Sequence, residues 1–261
     1  MVTLITGAST GIGAEYARQF AARGDDLVLV ARSADKLEAM AAQLRAANGV
    51  QVTVIPMDLS APDAAAQLWE QTNRLGLEVT VLVNNAGAGT HGDVADVDPQ
   101  RLESEVELNC RTLVGTTARY LPQMRARGDG TIINVASTAA FLALPKMAVY
   151  GASKAFVLSF TEALWQEERK HGVRVLAVCP GMTDTGFFEA AGEAAVIAAK
   201  RSDTLRMTRT SKQVVDNTMR ALSGRKPSFV DGAVNAVVWR GLTRFVPTRL
   251  MLAVSGYLVE G

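Results

Sequence analysis

"TGASTGIG", residues 6–13, closes the apolar run Val2–Thr6 and opens a segment of helical period near Gly11–Arg23. Its glycines, Gly7, Gly11 and Gly13, are spaced G-x-x-x-G-x-G. Glycine at such a bend permits backbone angles that other residues avoid and lets a pyrophosphate approach main-chain amides. The N-terminus of the helix that follows then favours negative charge. A glycine triad by itself is a weak signal. Between the first strand and first helix of a βαβ unit it points to a dinucleotide. Ser9, Thr10 and Ile12 fill out the loop and complete its expected contacts.

The rest of the chain supplies that context. Short apolar runs at Leu27–Ala31, Val52–Pro56, Val79–Asn84, Thr131–Ala136, Val173–Cys179 and Pro227–Val230 follow the first one. They are nearly continuous rather than alternating, as in strands buried on both faces. Helical segments are predicted between them, near Ala34–Ala47, Pro62–Leu75, Pro99–Arg127, Tyr150–His171 and Ser211–Ser223. The long one starts cleanly, with Asp98 as N-cap and Pro99 in the first helical position, and is expected to break near Asn109–Arg111. This alternation predicts an α/β fold: a doubly wound, mostly parallel, Rossmann-like sheet of about seven strands with helices on both faces. No linker, repeat or low-complexity tract divides residues 1–261, so one domain is expected. Residues 182–210 interrupt the pattern and read as a lid over a site.

The carboxyl ends of the strands carry the chemistry. "LVLVARS" (residues 27–33) places Ala31 where an acid would bind a free ribose 2′-hydroxyl, followed by Arg32 and Ser33. A guanidinium and a hydroxyl suit a 2′-phosphate instead, which favours NADP over NAD. Asp58 could accept from the adenine amino group, with Leu59 beside the ring. Asn84, Asn85, Ala86 and Gly87 ("NNAG") end the fourth strand, where the asparagines could touch ligand, tie a turn, or do both.

"YGASK", residues 150–154, puts a phenol and an ammonium on one helix face. A free phenol titrates at about 10, and a nearby cation lowers that toward the working range of a proton-transfer group. Ser137, at the end of the fifth strand, could bind a substrate oxygen beside Tyr150. The Asn109 side chain could hold a water that serves Lys154.

Together "TGASTGIG", "NNAG", Asn109, Ser137, "YGASK" and "PGMTDT" resemble, in order and spacing, the short-chain dehydrogenase/reductase family, over residues 1 to about 230. The resemblance implies a catalytic tetrad of Asn109, Ser137, Tyr150 and Lys154. Tyr150 would be the acid or base, and Lys154 would also grip the nicotinamide ribose. It further implies that Pro180, Gly181 and Thr183 contact the nicotinamide end. The expected activity is hydride transfer between NADP(H) and a carbonyl/alcohol pair. Phe141, Leu142, Met182, Phe187 and Phe188 are expected to line the substrate, which favours a lipophilic one. Two alternatives stay open: epimerisation or dehydration on the same fold, and dinucleotide sensing without turnover.

Bulk properties exclude other classes. Lys and Arg number 27 against 26 Asp and Glu, a net charge of +1, so no nucleic-acid partner is implied. Cys110 and Cys179 read as buried thiols, and His91 and His171 have no ligand-like spacing, so no metal site is expected. The N-terminus shows no secretory pattern and no apolar run reaches a membrane span, so a cytoplasmic protein is the expectation.

The tail, residues 231–261, exceeds the family pattern. It carries Trp239, Phe245, Leu250 and Met251 among Arg240, Arg244 and Arg249. It could cover the cleft, pair subunits, contact a membrane surface, or pack as an extra helix. A homodimer or homotetramer is expected through an apolar surface of Leu113, Thr117, Tyr120, Leu121 and Met124 with Phe156, Val157, Phe160, Leu164 and Trp165.

Overall fold

In β1 (Val2–Thr6) the neighbours Leu4 and Ile5 are both fully buried, yet they enter different cores, because successive strand side chains point to opposite faces. The computed structural model describes residues 1–185, 187, 191, 208–241 and 246–259. The next five strands follow the same rule. They are β2 (Asp26–Ala31), β3 (Val52–Pro56), β4 (Val79–Asn84), β5 (Gly130–Val135) and β6 (Val173–Cys179), with β7 (Thr183–Asp184), β8 (Arg209–Thr210) and β9 (Ser228–Val230) after them. The main sheet has seven strands in the order β3-β2-β1-β4-β5-β6-β9, every neighbouring pair parallel. The order reverses between β1 and β4, so a crevice opens at their carboxyl ends.

Helices cover both faces. On one lie α1 (Gly11–Ala22), α2 (Ala34–Asn48) and α7 (Ser211–Leu222), which contribute Tyr16, Phe20, Leu37, Leu44, Val214 and Val215. On the other lie α3 (Ala64–Arg74), α5 (Leu113–Arg127) and α6 (Ala148–Glu168), with Leu68, Tyr120, Met124 and Leu164. α4 (Pro99–Val106) begins as the sequence predicts, the Asp98 carboxylate accepting from the Gln100 N–H at 3.0 Å. The expected break at Asn109–Arg111 is instead a π-helical turn, Glu107–Thr112, that joins α4 to α5 without interruption. The inserted residue re-aims the helix face, so Asn109 is turned inward.

Much of the apolar surface expected between subunits is absorbed within the chain. Leu113, Thr117, Tyr120, Met124, Val157 and Leu164 are buried, while Phe156 is 43% exposed and stacks on Phe160 at 6.0 Å. The buried stripe of α6 also includes Lys154, Thr161 and Glu168, so polar groups occupy part of the sheet-facing side. Glu168 is held by the Arg125 guanidinium, with Nε donating at 2.7 Å. Behind the site, Asn84 donates to Asn134 (2.9 Å) and Thr117 (3.1 Å), Asn134 donates to Thr161 (3.0 Å), and Thr116 donates to Asn84 (2.8 Å). This satisfied network locks β4 and β5 to α5 and α6.

After β6 the chain forms the β7–β8 ladder, which pairs the two ends of the lid segment. Arg209 donates from Nε to the buried Asp231 at 2.9 Å and fixes β8 to the end of β9. Most of residues 182–210, the segment expected as a lid, lies outside the described residues, Phe188 included, as does Phe245 of the tail. The described tail consists of Ala233–Asn235, a π-helical turn Ala236–Gly241, and α8 (Thr248–Val259). Both cysteines are free thiols, Cys179 buried as expected and Cys110 only half-buried.

Candidate active site

The crevice at the strand ends is a cleft of about 650 Å³. One end is the glycine loop. Gly7 has φ +65°, and a Cβ there would lie 2.9 Å from the Ala86 Cα, so this position needs glycine twice over. A Cβ on Gly13 would sit 2.2 Å from the Gly7 carbonyl; this glycine lets α1 close on the loop and does not itself line the cleft. Thr10 caps α1 without a side-chain hydrogen bond and the first turn holds no acid, which suits the anion-binding reading. Ser9, Thr10, Gly11 and Ile12 line the cleft directly.

Arg32 and Ser33 stand exposed at the end of β2 and also line it. Arg32 makes no salt bridge among the described residues. Asp58 accepts from the Ser60 N–H (3.0 Å) and hydroxyl (2.7 Å) through one oxygen. These bonds, helped by Arg32, hold its carboxyl below the usual range. Leu59 is buried against the cleft wall. Asn85 donates to the carbonyls of Thr6 (3.0 Å) and Gly7 (3.2 Å), while Thr6 accepts from the Asn85 and Ala86 N–H groups. The first asparagine locks the core and the second ties "NNAG" to the glycine loop, so both serve as ties.

At the other end Ser137, Tyr150 and Lys154 come together. Ser137 and Tyr150 line the same end of the cleft, Ser137 opposes the upward shift of the phenol, and its hydroxyl accepts from the Ala139 N–H at 3.1 Å. Lys154 is 5% exposed, donates to the Val135 carbonyl at 2.9 Å, and sits 5.7 Å from the Tyr150 ring centroid. Burial pushes the phenol up to about 12, with Ser137 opposing it and Glu105 adding to it. Burial also pushes the Lys154 ammonium down to about 8. The lowering expected from Lys154 does not set the position of the phenol: desolvation disfavours the charged form of both groups.

The Asn109 side chain is held by hydrogen bonds within the protein. It is 1% exposed and lies behind the cleft wall. Its oxygen accepts from the Ala88 N–H (2.9 Å), and its nitrogen donates to the Ala88 carbonyl (2.9 Å) and to Ser153 (3.0 Å). Both amide hydrogens are committed, so the side chain clamps the loop after β4 and leaves no N–H to hold a water.

Pro180, Gly181 and Thr183 line the cleft beyond β6, and a Cβ on Gly181 would meet the Asn235 amide at 2.4 Å. Of the expected substrate-lining residues, Leu142, Met182 and Phe187 line the cleft and Phe141 does not. Phe187 packs on Tyr150 at 5.2 Å. Sequence reasoning passed over Thr90, Glu105, Leu144, Met147 and Asn235 as lining residues, and named Trp239 only as part of the tail. Ser255, in α8, also lines the cleft and donates to the Ala143 carbonyl at 2.9 Å, so the tail forms part of this wall.

Residues 1–195 match the sequence model of the family described as short chain dehydrogenase. An uncharacterized oxidoreductase of Staphylococcus saprophyticus is 34% identical over 184 residues, 70% of this chain and 79% of that protein. A very-long-chain 3-oxoacyl-CoA reductase of Podospora anserina is 36% identical over 187 residues, 70% of this chain; the match spans only 54% of that longer protein. Among solved structures, a short-chain dehydrogenase from Sphingobium yanoikuyae in complex with NADPH superimposes with a TM-score of 0.83 at 34% identity, covering 94% of this chain and 92% of that one.

Proposed function

The chain belongs to the short-chain dehydrogenase/reductase family, oxidoreductases of carbonyl/alcohol pairs, and on that premise we propose an NADP(H)-dependent reductase of lipophilic ketones. Tyr150 is its acid/base. The observation that carries this reading is that Ser137, Tyr150 and the buried Lys154 line one end of a single cleft whose other end is the glycine loop, with Lys154 on the same face of α6 as Tyr150.

The residues present fit the dinucleotide. The positive φ of Gly7 and Gly11 and the open N-terminus of α1 form an anion cradle at one end. Arg32 and Ser33 offer a cation and a hydroxyl to a 2′-phosphate, with no acid in the position of Ala31. That the Sphingobium relative was solved with NADPH supports the choice. When bound, the dinucleotide supplies or accepts the hydride. The chain supplies the rest. Ser137 and Tyr150 hold the carbonyl oxygen by two hydrogen bonds. The phenol O–H gives its proton to that oxygen as charge builds there, and Lys154 favours the resulting phenolate. With its phenol pushed up to about 12, Tyr150 is protonated at neutral pH, the form that reduction consumes.

Leu142, Leu144, Met147, Met182, Phe187 and Trp239 support an apolar substrate with little polar demand away from the carbonyl. The acyl-chain name of the Podospora relative supports the same class. The exposed Phe156, stacked on the partly buried Phe160, supports assembly into a homo-oligomer. The test is NADPH oxidation against a panel of decalone, a ketosteroid and a 3-oxoacyl thioester, with light scattering on the same sample. Turnover of at least one ketone, faster with NADPH than NADH, is expected. Tight NADPH binding without turnover across a broad ketone panel would return the protein to the sensing class.

A further inference from the structure

α4 is inverted at one point. Val106 faces solvent at 46% exposure, while its neighbour Glu105 is 2% exposed and lines the cleft. Neither carboxyl oxygen has a formed hydrogen bond among the described residues, although Thr90 brings its hydroxyl and N–H toward the group. An ionised carboxylate in such a place costs several kcal/mol unless it is paired. Burial accordingly pushes Glu105 up from the usual carboxylate range, with Thr90, Lys154 and Arg101 opposing.

The groups that face it come from each element packed around it. Thr90 is on the loop after β4, Arg101 on α4, Cys110 on the π-helical turn, and Tyr150 and Lys154 on α6. Cys110 is a poor proton carrier, because its thiol is pushed up by burial. The Asn109 side chain, one turn beyond Glu105, is committed to Ala88 and Ser153. Among the described residues that line the cleft, Glu105 is thus the buried acid near the Tyr150–Lys154 pair.

We propose that Glu105 is the internal proton source that recharges Lys154, and through it Tyr150, during turnover. In the reductive direction the Tyr150 O–H bond breaks and its proton goes to the substrate oxygen. Lys154 returns a proton to the phenolate and becomes an amine. The Glu105 carboxylic acid gives its proton to that amine through hydrogen-bonded water and becomes a carboxylate. Solvent reprotonates it at the cleft wall formed by Arg101 and Ser104. The oxidative direction runs each transfer in reverse. Glu105 acts through Lys154 and does not touch the substrate.

This rests on Tyr150 being the acid/base, so Tyr150→Phe is run in parallel. With NADPH and the ketone that turns over fastest in the panel, Glu105→Gln should lower kcat by roughly 10- to 100-fold, the low end for a placed proton-transfer group. KM should stay within about twofold, the solvent isotope effect on kcat should rise, and Glu105→Asp should restore most of both. Should the Gln variant fail to fold, Glu105→Ala is assayed with formate, which should restore turnover. Three results overturn the relay: an unchanged kcat and isotope effect in Glu105→Gln, a rise in KM alone, which would mark a substrate contact, or a folded Ala variant that formate leaves unrescued. A dead Tyr150→Phe beside an unaffected Glu105→Gln sinks only the relay; an active Tyr150→Phe sinks the acid/base reading itself.

Discussion

At the glycine-loop end of the cleft the wall is mostly main chain, held by Gly7, Gly11 and the bonds from Asn85. At the Tyr150 end it is side chains drawn from distant stretches: Thr90 and Glu105, Ser137 and Tyr150, Met182 and Phe187, and Trp239 with Ser255. The first end is built on steric necessity, since a Cβ on Gly13 would overlap the Gly7 carbonyl. The second is built on desolvation, which moves the phenol, the ammonium and the Glu105 carboxyl away from their charged forms. Binding a phosphate needs amides that nothing obstructs. Moving a proton needs groups that are reluctant to stay charged.

The largest expected effect follows from that desolvation. The folded phenol titrates near 12, above the free value of 10.0, so it stays protonated throughout the neutral range. Reduction should therefore be nearly flat with pH around neutrality. Alcohol oxidation needs the phenolate and should rise by about tenfold per pH unit over several units. The positive nicotinamide ring lowers the position of that limb and leaves its sign unchanged. A flat oxidation profile would show that the phenol is not the base.

Next comes the steric end. Gly13→Val should drive the loop away from α1 and cost roughly 1–3 kcal/mol, weakening NADPH binding by up to about 100-fold. Calorimetric titration measures it; binding within about twofold of the unmodified protein would mean that the loop adapts. Arg32→Ala should weaken NADPH by about tenfold and leave NADH nearly unchanged. Equal loss for both would place Arg32 outside the phosphate site. The smallest effect is expected at the tail, where Trp239→Ala should raise KM for a lipophilic ketone by about fivefold without changing NADPH affinity. An unchanged KM would mean that the Trp239 wall does not touch substrate.

The same contrast explains what could be read from the sequence. β1, β3, β4 and β6 have the bounds that their apolar runs predict, because continuous apolar stretches leave little choice; β1, β4 and β6 are buried on both faces, and β3 is the edge strand. The glycine loop was legible because its requirement is steric and local. The substrate wall was less so. Residues 103, 105 and 107 are all Glu in the sequence, and only the helical phase set by packing turns Glu105 alone fully inward. Asn109 was found by its place in the chain, but its use as a clamp on Ala88 depends on a π-helical turn that periodicity does not announce. Part of the surface expected between subunits was ambiguous for a related reason. Tyr120 and Met124 fit an interface pattern and a core pattern equally well, and the core took them.

The acid/base claim is tested most directly by Tyr150→Phe, assayed for NADPH affinity and for ketone turnover on the same preparation. The ring and its packing on Phe187 remain, so affinity should stay within about twofold, while kcat falls by roughly 10²–10⁴-fold. Turnover close to that of the unmodified protein, with the cofactor still bound, would contradict the account.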